Sequence, residues 1–222
     1  MKKEISKFNN INYVVYTPEN TELSCLPLLI YLHGAGERGT VVDHLDRHAI
    51  PKLISQGREY NAIILCPQCP AQFVWDNIVA DVKEIIDDTV KKYNVKPDRI
   101  SITGSSMGGF GTWSMGLTYR NFFSAIGPIA GGGMSWRCAN LIKTPIWAFH
   151  GKLDTAVPLE YSQRMVDSVL SHGGEAKLTI LEDMGHNDAI NHVYDDGSIV
   201  DWLLSMRRTD FSYVPESLED MF

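Results

Sequence analysis

The sequence predicts an α/β fold with a mostly parallel sheet and helices on both faces of that sheet. Short apolar runs of strand length alternate along the chain with segments whose apolar residues recur at helical spacing. Several of these runs are apolar at every position, which is typical of strands that are buried on both sides. Because helices separate the runs, right-handed crossovers should join parallel neighbours. In such a sheet, ligands bind at the carboxyl ends of the strands.

The elements follow one another along the chain. The segment 11–16 alternates as a strand does and stops at Thr17-Pro18, and we expect an antiparallel pair near this end of the sheet. Further strands are predicted at 27–32, 62–66, 99–103, 125–130, 145–149 and 176–181. Helices are predicted at 79–90, 107–118, 158–173 and 198–207, with a helical or irregular stretch near 43–56. The segment 131–144, where a lid would be inserted in such a fold, is short, so we expect no large cap domain.

The composition is that of an ordinary globular domain. The chain has 222 residues, of which 44% are hydrophobic and 21% charged, and it shows no internal repeat or low-complexity tract. We therefore expect one domain over residues 1–222. The acidic, aromatic tail at 209–222 is the one segment outside the alternating pattern, and the sequence leaves open whether it packs on a neighbour or lies loose.

Charge and hydropathy argue against several kinds of partner. The net charge is −7 and no lysine or arginine block interrupts it, so we expect no nucleic-acid partner. No apolar stretch has the length of a membrane span or a secretory signal core, so no membrane association is expected and the cytoplasm is the default location, although a removed signal peptide would leave no trace. The oligomeric state stays open, a homodimer included.

One motif predicts a nucleophilic serine. The segment Gly104-Ser105-Ser106-Met107-Gly108 matches G-x-S-x-G, with a buried-type strand before it and a helix-competent segment after it. This context is that of a nucleophile elbow, in which a strained turn exposes the serine hydroxyl. The residues two before and two after Ser106 must be small for strand and helix to approach each other. The alternative is a glycine-rich turn with a solvated serine.

A serine hydroxyl needs a base within hydrogen-bond reach and an acid that fixes the tautomer of the base. Asp154 follows one predicted strand and His186 follows the next, so both should lie in loops at the carboxyl end of the sheet. We predict that Asp154 orients His186, the general base. A turn-capping aspartate and the later His192 are the alternatives for these two positions. Asp183 and Asp188 are the other carboxylates close to His186 in sequence, and we judge them poorly placed to meet its ring.

The oxyanion of a tetrahedral intermediate requires donors that are fixed before the reaction. In an elbow of this kind they are the backbone N–H after the nucleophile and one N–H from the loop after an earlier strand. These positions correspond to Met107 and, in the loop after the strand at 27–32, to Ala35. We expect Gly34 in the same loop to contact substrate, and His33 to brace the loop by hydrogen bonds.

The remaining histidines and cysteines give no metal or redox motif. Cys66-Pro67-Gln68-Cys69 is a lone C-x-x-C without the second ligand pair that structural zinc requires, and it does not open a helix that would activate a thiol. The other cysteines are Cys25 and Cys138. All four are expected to pack as small apolar thiols. The sequence therefore predicts no metal and no cofactor.

Four stretches together carry a resemblance to a known group of enzymes. They are 32–39 (LHGAGERG), 66–70 (CPQCP) followed by Trp75, 104–109 (GSSMGG) and 150–154 (HGKLD). In these stretches the chain resembles the single-domain esterases of the α/β-hydrolase superfamily, especially phospholipase/carboxylesterases, dienelactone hydrolases and predicted peptidases similar to prolyl oligopeptidase catalytic domains. The resemblance covers about residues 11 to 207 and implies hydrolysis of a small carboxylic ester. It also implies that Trp75 lies near the acyl or alcohol pocket, with a core tryptophan as the alternative.

The leading hypothesis is a serine carboxylesterase that acts on short or aromatic acyl groups through an acyl-enzyme, with acetyl or feruloyl esters of carbohydrate as candidate substrates. Dienelactone hydrolases use a cysteine at the position of Ser106, which argues against that activity. A small-peptide or amide hydrolase is the first alternative. A non-catalytic member of the fold that only binds a ligand is the second.

Overall fold

The computed structural model describes residues 1–19 and 26–216. Its centre is one eight-stranded sheet in the order β1-β2-β4-β3-β5-β6-β7-β8. The strands are β1 (Lys2–Phe8), β2 (Ile11–Thr17), β3 (Leu28–Leu32), β4 (Ile63–Pro67), β5 (Ile100–Ser105), β6 (Ala125–Ile129), β7 (Ile146–Gly151) and β8 (Ala176–Leu181).

The pairing confirms the predicted topology. Strands β3 to β8 pair parallel to their neighbours, whereas β1 pairs antiparallel with β2 and β2 pairs antiparallel with β4. The helices are α1 (Ala49–Ser55), α2 (Val79–Tyr93), α3 (Met107–Thr118), α4 (Glu160–Ser171), α5 (His186–Asp196) and α6 (Ser198–Ser205). Short 3₁₀ helices occupy Ala35–Glu37, Val42–Arg47, Trp75–Ile78 and Ser135–Leu141.

Two apolar layers cover the two faces of the sheet. Alternate residues of β3 show the division, since Leu28 and Ile30 belong to one layer and Leu29 and Tyr31 to the other. Helices α2, α3 and α4 contribute buried residues to the first layer, and α1, α5 and α6 to the second. A strand between two such layers has no solvent-facing side, which explains why β3 is apolar at every position.

Two elements differ from the sequence prediction. Strand β1 was not predicted, because its residues are mostly exposed and polar, as on an edge strand that pairs on one side only. Helix α5 was not predicted either, and it places His186 at the first residue of a helix instead of in a loop. The prediction of no large cap is confirmed, since the segment 131–144 holds a short 3₁₀ helix.

The described part of the tail, 209–216, packs on its own chain and is not loose. The side-chain amide of Asn121 donates to the carbonyl oxygens of Asp210 at 3.0 Å and Ser212 at 2.8 Å. Val214 is buried, and Arg137 pairs with Glu216 at 2.7 Å. Residues 217–222 and Cys25 lie outside the described residues. Among the described residues, no helix combines the length and the apolar character that crossing a membrane requires.

Candidate active site

Ser106 occupies a strained turn between β5 and α3. Its backbone has φ 56° and ψ −121°, a conformation that residues other than glycine rarely adopt. Its backbone N–H donates to the carbonyl oxygen of Ile129 at 2.9 Å. A Cβ on Gly104 would lie 2.4 Å from the Gly108 carbonyl oxygen, and one on Gly108 would lie 1.9 Å from that of Leu32. Glycine is therefore required at both positions for strand and helix to meet.

The structure brings the three predicted catalytic side chains into one hydrogen-bonded chain. Nε2 of His186 lies 2.9 Å from Oγ of Ser106, and its Nδ1 lies 2.6 Å from Oδ2 of Asp154. The loops that carry Asp154 and His186 touch directly, because the N–H of Leu153 donates to the carbonyl of Met184 at 3.0 Å. This contact sets the start of α5 beside the carboxylate.

The alternatives for the base and the acid point elsewhere. His192 lies on α5 and is exposed, and Asp183 and Asp188 are also exposed. None of the three has a hydrogen bond to Ser106 or His186 within the described segments. Among these candidates, only His186 and Asp154 join the hydrogen-bonded chain that starts at Ser106.

Asp154 is held as a carboxylate by its surroundings. Burial alone would raise its pKa, but hydrogen bonds to the N–H of Val157, to His186 and to the N–H of Ala156 outweigh this effect and lower the pKa. The two amide bonds converge on Oδ1, at 2.8 and 2.9 Å. Oδ2 is left for the imidazole of His186, so one carboxylate both caps its own loop and orients the base.

A second histidine, which sequence analysis did not assign a role, touches the same carboxylate. His150 is fully buried, with Nε2 2.8 Å from the carbonyl oxygen of Val157 and 3.4 Å from Oδ2 of Asp154. Its Nδ1 lies 2.7 Å from Oγ of Ser162. Burial lowers the pKa of His150, while the carbonyl of Val157 and the charge of Asp154 oppose that shift. The ring ties the Asp154 loop to the start of α4.

Two backbone amides lie where an oxyanion would need donors. Ala35 and Met107 are the first residues of their helices, so their N–H groups have no partner within the helix. Neither donates to another residue in the described parts of the chain. Gly34 lies beside Ser106, since a Cβ placed on it would be 3.8 Å from the Ser106 Cβ.

His33 fixes the loop that carries Ala35. Its ring is buried, with Nδ1 2.5 Å from the Gly34 carbonyl oxygen and Nε2 accepting from the N–H of Cys69 at 2.9 Å. Because Nε2 accepts, the proton sits on Nδ1. Burial lowers the pKa of His33 to about 4, so the ring is neutral near pH 7. The histidine therefore acts as a brace, as its position in the sequence predicts.

Trp75 serves mainly as a core residue. It is 2% exposed, and its indole Nε1 donates to the carbonyl of His33 at 2.9 Å. One side of it nevertheless lines a shallow apolar cavity of about 310 Å³ together with Met107 and Phe110. Gly111 gives the indole room, because a Cβ there would lie 2.6 Å from the Trp75 Cβ.

The C-x-x-C cysteines are buried thiols. Cys66 and Cys69 are free and buried, and Cys69 contacts the carbonyl oxygen of Phe73 through its sulfur at 3.4 Å. Burial raises the pKa of both thiols, that of Cys69 to about 11. Both are therefore protonated near neutral pH. No group of three or more potential metal ligands lies together in the described residues.

A second cavity, of about 390 Å³, is lined by Ser106 and His186 themselves and by several other polar side chains. Sequence analysis did not single out four of its lining residues, namely Glu37, His48, Asn187 and Asn191. Glu37 is only 4% exposed. The one signal for it was a charged residue inside a glycine-rich loop, at the position where the loop turns back toward the sheet.

Comparison with known proteins bears on this geometry. A profile of the phospholipase/carboxylesterase family matches residues 71–195, more than half of the chain and a segment that includes Ser106, Asp154 and His186. The chain belongs to the phospholipase/carboxylesterase family. It is thus an esterase-type α/β-hydrolase, and the resemblance found in the sequence motifs is confirmed.

Solved structures agree with this family. A thermostable esterase superposes with a TM-score of 0.79 at 26% identity, over 93% of this chain and 63% of that one. The feruloyl esterase module of Clostridium thermocellum, in complex with sinapinate, superposes with a TM-score of 0.70 over 97% of this chain and 90% of that one. At 13% identity, the second likeness shows the fold alone.

Curated relatives match this chain only in part. A non-reducing polyketide synthase of Penicillium brasilianum is 40% identical over 53 residues, which are 24% of this chain and 2% of that protein. The chain therefore spans a small fraction of that relative, and similarly less than two thirds of the thermostable esterase.

Proposed function

We propose that this family member is a serine carboxylesterase that hydrolyses small acyl esters through an acyl-enzyme intermediate. The observation that carries the proposal is the unbroken hydrogen-bonded chain from Ser106 through His186 to Asp154. It starts at a strained turn next to two unused amides and ends on a buried carboxylate. A structural role for the three side chains would not need the strain at Ser106 or the free donors beside it.

The geometry supports a two-step mechanism. Nε2 of His186 takes the hydroxyl proton as Oγ of Ser106 attacks the ester carbonyl, and the imidazolium is stabilised by Asp154. The amides of Ala35 and Met107 donate to the oxyanion that forms on the former carbonyl oxygen. As the intermediate collapses, His186 returns the proton to the leaving alcohol, and the acyl group stays on Ser106.

Deacylation reverses the same steps. A water molecule takes the place of the alcohol, His186 removes one of its protons, and the hydroxide equivalent attacks the acyl carbonyl. The second tetrahedral intermediate uses the same two amides. His186 then gives its proton to Oγ of Ser106, which releases the carboxylic acid. All proton transfers use groups of this chain, so the proposed reaction requires no cofactor.

The shape of the site supports small acyl groups, including acetyl and feruloyl. The apolar cavity next to Met107 is shallow, and Val74 and Phe110 at its rim are at least partly exposed. Such a cavity accommodates a short chain or one flat ring, whereas a long acyl chain would extend past its rim into solvent. The feruloyl esterase module with the same fold binds sinapinate, an aromatic acyl acid, which supports including aromatic acyl groups in the proposal.

The test combines active-site labelling with turnover. Wild-type protein, Ser106→Ala and the surface control Ser205→Ala are treated with a fluorophosphonate probe and assayed on p-nitrophenyl acetate, butyrate and octanoate and on methyl ferulate. We expect labelling and a burst of p-nitrophenol in the wild type and the control, and neither in Ser106→Ala. Failure of the probe to label Ser106, with no ester turned over, would contradict the proposal.

Aminoacyl-anilides form the second arm of the same experiment. The peptidase alternative predicts that these amides are cleaved in preference to esters, with the same dependence on Ser106. We expect the opposite order, because an alcohol leaves a tetrahedral intermediate more readily than an amine, whose nitrogen must first be protonated.

A further inference from the structure

The cavity beside Ser106 is lined by a buried carboxyl group, that of Glu37. Glu37 lies at the end of the 3₁₀ helix that begins with Ala35, and its side chain is only 5% exposed. Its nearest ring nitrogens are Nδ1 of His33 at 3.7 Å and Nε2 of His48 at 3.9 Å, both too far for a hydrogen bond. Among the described residues, no other side chain bonds to this carboxyl group.

A buried carboxyl group that receives no hydrogen bond from another side chain costs folding free energy, so its retention needs a reason. Burial raises the pKa of Glu37, and the neighbouring imidazole of His48 opposes that shift. The neighbouring His33 does not need Glu37, because its own hydrogen bonds go to Gly34 and Cys69. The group is instead left open toward the cavity that it lines.

Further polar side chains line the same cavity. Asn187 and Asn191 on α5 and His48 at the start of α1 line it together with Glu37. Amide, imidazole and carboxyl groups supply both donors and acceptors within one space. Ser106 and His186 line the same cavity, so a ligand in it touches the atoms that attack and protonate an ester.

The two cavities near Ser106 therefore differ in chemistry. The cavity next to Met107 exposes almost only apolar surface and suits an acyl group, whereas the Glu37 cavity suits a polar one. An ester has two substituents that extend from the carbonyl in different directions. If the acyl group occupies the apolar cavity next to Met107, the Glu37 cavity is left for the alcohol.

We propose that the Glu37 cavity binds the free hydroxyl groups of a polyol leaving alcohol, with the Glu37 carboxyl accepting one hydroxyl and Asn187 and Asn191 bonding to others. This inference rests on the proposed esterase function and adds the class of alcohol. A sugar or a glycerol unit presents such hydroxyl groups. Neutral hydroxyls, which both donate and accept, match the mixed donors and acceptors of the cavity.

The test compares esters that share one acyl group. Methyl butyrate, glyceryl monobutyrate, glucose monobutyrate and butyrylcholine differ only in the alcohol, so the ratio of kcat/KM for each to that for methyl butyrate isolates recognition of the alcohol. We expect the wild type to favour one or both polyol esters over methyl butyrate by about tenfold or more. The glycerol and sugar arms distinguish the two sources of hydroxyl groups.

Variants assign the preference to Glu37. Glu37→Leu removes the acceptor and should lower the polyol-to-methyl ratio about tenfold, while Glu37→Gln keeps an oxygen acceptor and should restore most of it. Glu59→Leu, the same change at an exposed glutamate, should leave the ratio as in the wild type. Asn191→Ala provides a second, independent reduction of the ratio in case Glu37→Leu does not fold.

The outcomes separate this inference from the esterase proposal. Labelling of Ser106 and turnover of methyl butyrate test the esterase proposal alone. A wild type that hydrolyses methyl butyrate but shows no polyol preference, or that prefers butyrylcholine, overturns the polyol site and leaves the esterase intact. Equal losses on methyl and polyol esters in Glu37→Leu would make Glu37 a brace of the Ala35 loop and would also overturn it.

Discussion

His150 and Asp154 are both buried, and Nε2 of His150 lies 3.4 Å from the carboxylate oxygen Oδ2. The same oxygen is 2.6 Å from Nδ1 of His186. His150 also contacts the carbonyl of Val157, and the N–H of Val157 donates to the other oxygen of Asp154. The imidazole thus closes a ring of contacts around the acid of the proposed triad without touching Ser106.

Replacing His150 should impair the reaction through Asp154 and leave substrate binding nearly intact. In His150→Ala, we expect kcat for p-nitrophenyl acetate to fall by about tenfold or more and KM to stay within twofold, because a lost hydrogen bond in a buried network costs about 1 to 3 kcal/mol. Steady-state kinetics and urea unfolding check this. A rise in KM with kcat unchanged would contradict the positioning role.

His186 and the exposed His192 lie on the same helix, α5, less than two turns apart. The same substitution at the two positions therefore gives a variant and its matched control. We expect His186→Gln to lower kcat by about 10⁶-fold, as loss of the base in a triad does, and His192→Gln to leave kcat within twofold. Fluorophosphonate labelling of Ser106 should slow in parallel for the first variant only. Similar losses in both variants would remove the assignment of His186 as the base.

The contact between β5 and α3 predicts strong effects of single methyl groups. In Gly108→Ala, the new Cβ would meet the carbonyl of Leu32 at 1.9 Å, so we expect a loss of several kcal/mol in unfolding free energy, about 3 or more. Gly36→Ala is the control for stability, since nothing lies within 4 Å of the position that its new methyl group would take. Equal midpoints of thermal unfolding for the two variants would contradict the close approach.

His33 should make stability fall with acidity. Its pKa is about 4 in the fold and near 6.5 when unfolded, so between these values the unfolded chain binds the extra proton and the native state does not. The stability that the neutral ring contributes is complete above about pH 6.5 and is lost progressively toward pH 4, a change of about 3 kcal/mol.

Urea unfolding at several pH values checks this for two proteins, the single variant Glu37→Gln and the double variant that also carries His33→Gln. The shared Glu37→Gln change removes the carboxyl group next to His33. The difference in unfolding free energy between the two proteins should shrink as the pH falls from 7 to 4. A difference that stays constant over this interval would show that the ring of His33 is protonated in the native state.

The fold was predictable because its central strands are covered on both faces. A strand such as β3 cannot place a polar residue on either side, so it reads as a continuous apolar run. Strand β1 lies at the sheet edge and exposes Lys2, Lys3 and Lys7, which leaves no apolar pattern to detect. Helix α5 escaped prediction because its first turn holds Asn187 and Asp188, which favour turns and caps over helix interiors.

The site was predictable where chemistry dictates local sequence. Ser106 lies between glycines because backbone atoms crowd the turn. Asp154 and His186 follow consecutive strands because the carboxyl ends of parallel strands lie at the same edge of the sheet. Glu37 and Asn191 were not predictable, because their role depends on two segments far apart in sequence that face one cavity. Nothing in a linear pattern indicates that a carboxyl group will be buried beside the nucleophile.

The pairing of β3 with β5 has a consequence for how the protein fails on heating. Leu32 is in register with Gly104. The two proposed oxyanion donors, Ala35 and Met107, therefore follow the ends of β3 and β5, which are hydrogen-bonded neighbours at the middle of the sheet. The distance between these two N–H groups stays fixed as long as the hydrogen bonds between β3 and β5 are intact. Loosening of the outer helices or of the N-terminal strands should leave that spacing unchanged, and thermal inactivation should coincide with cooperative melting instead of preceding it.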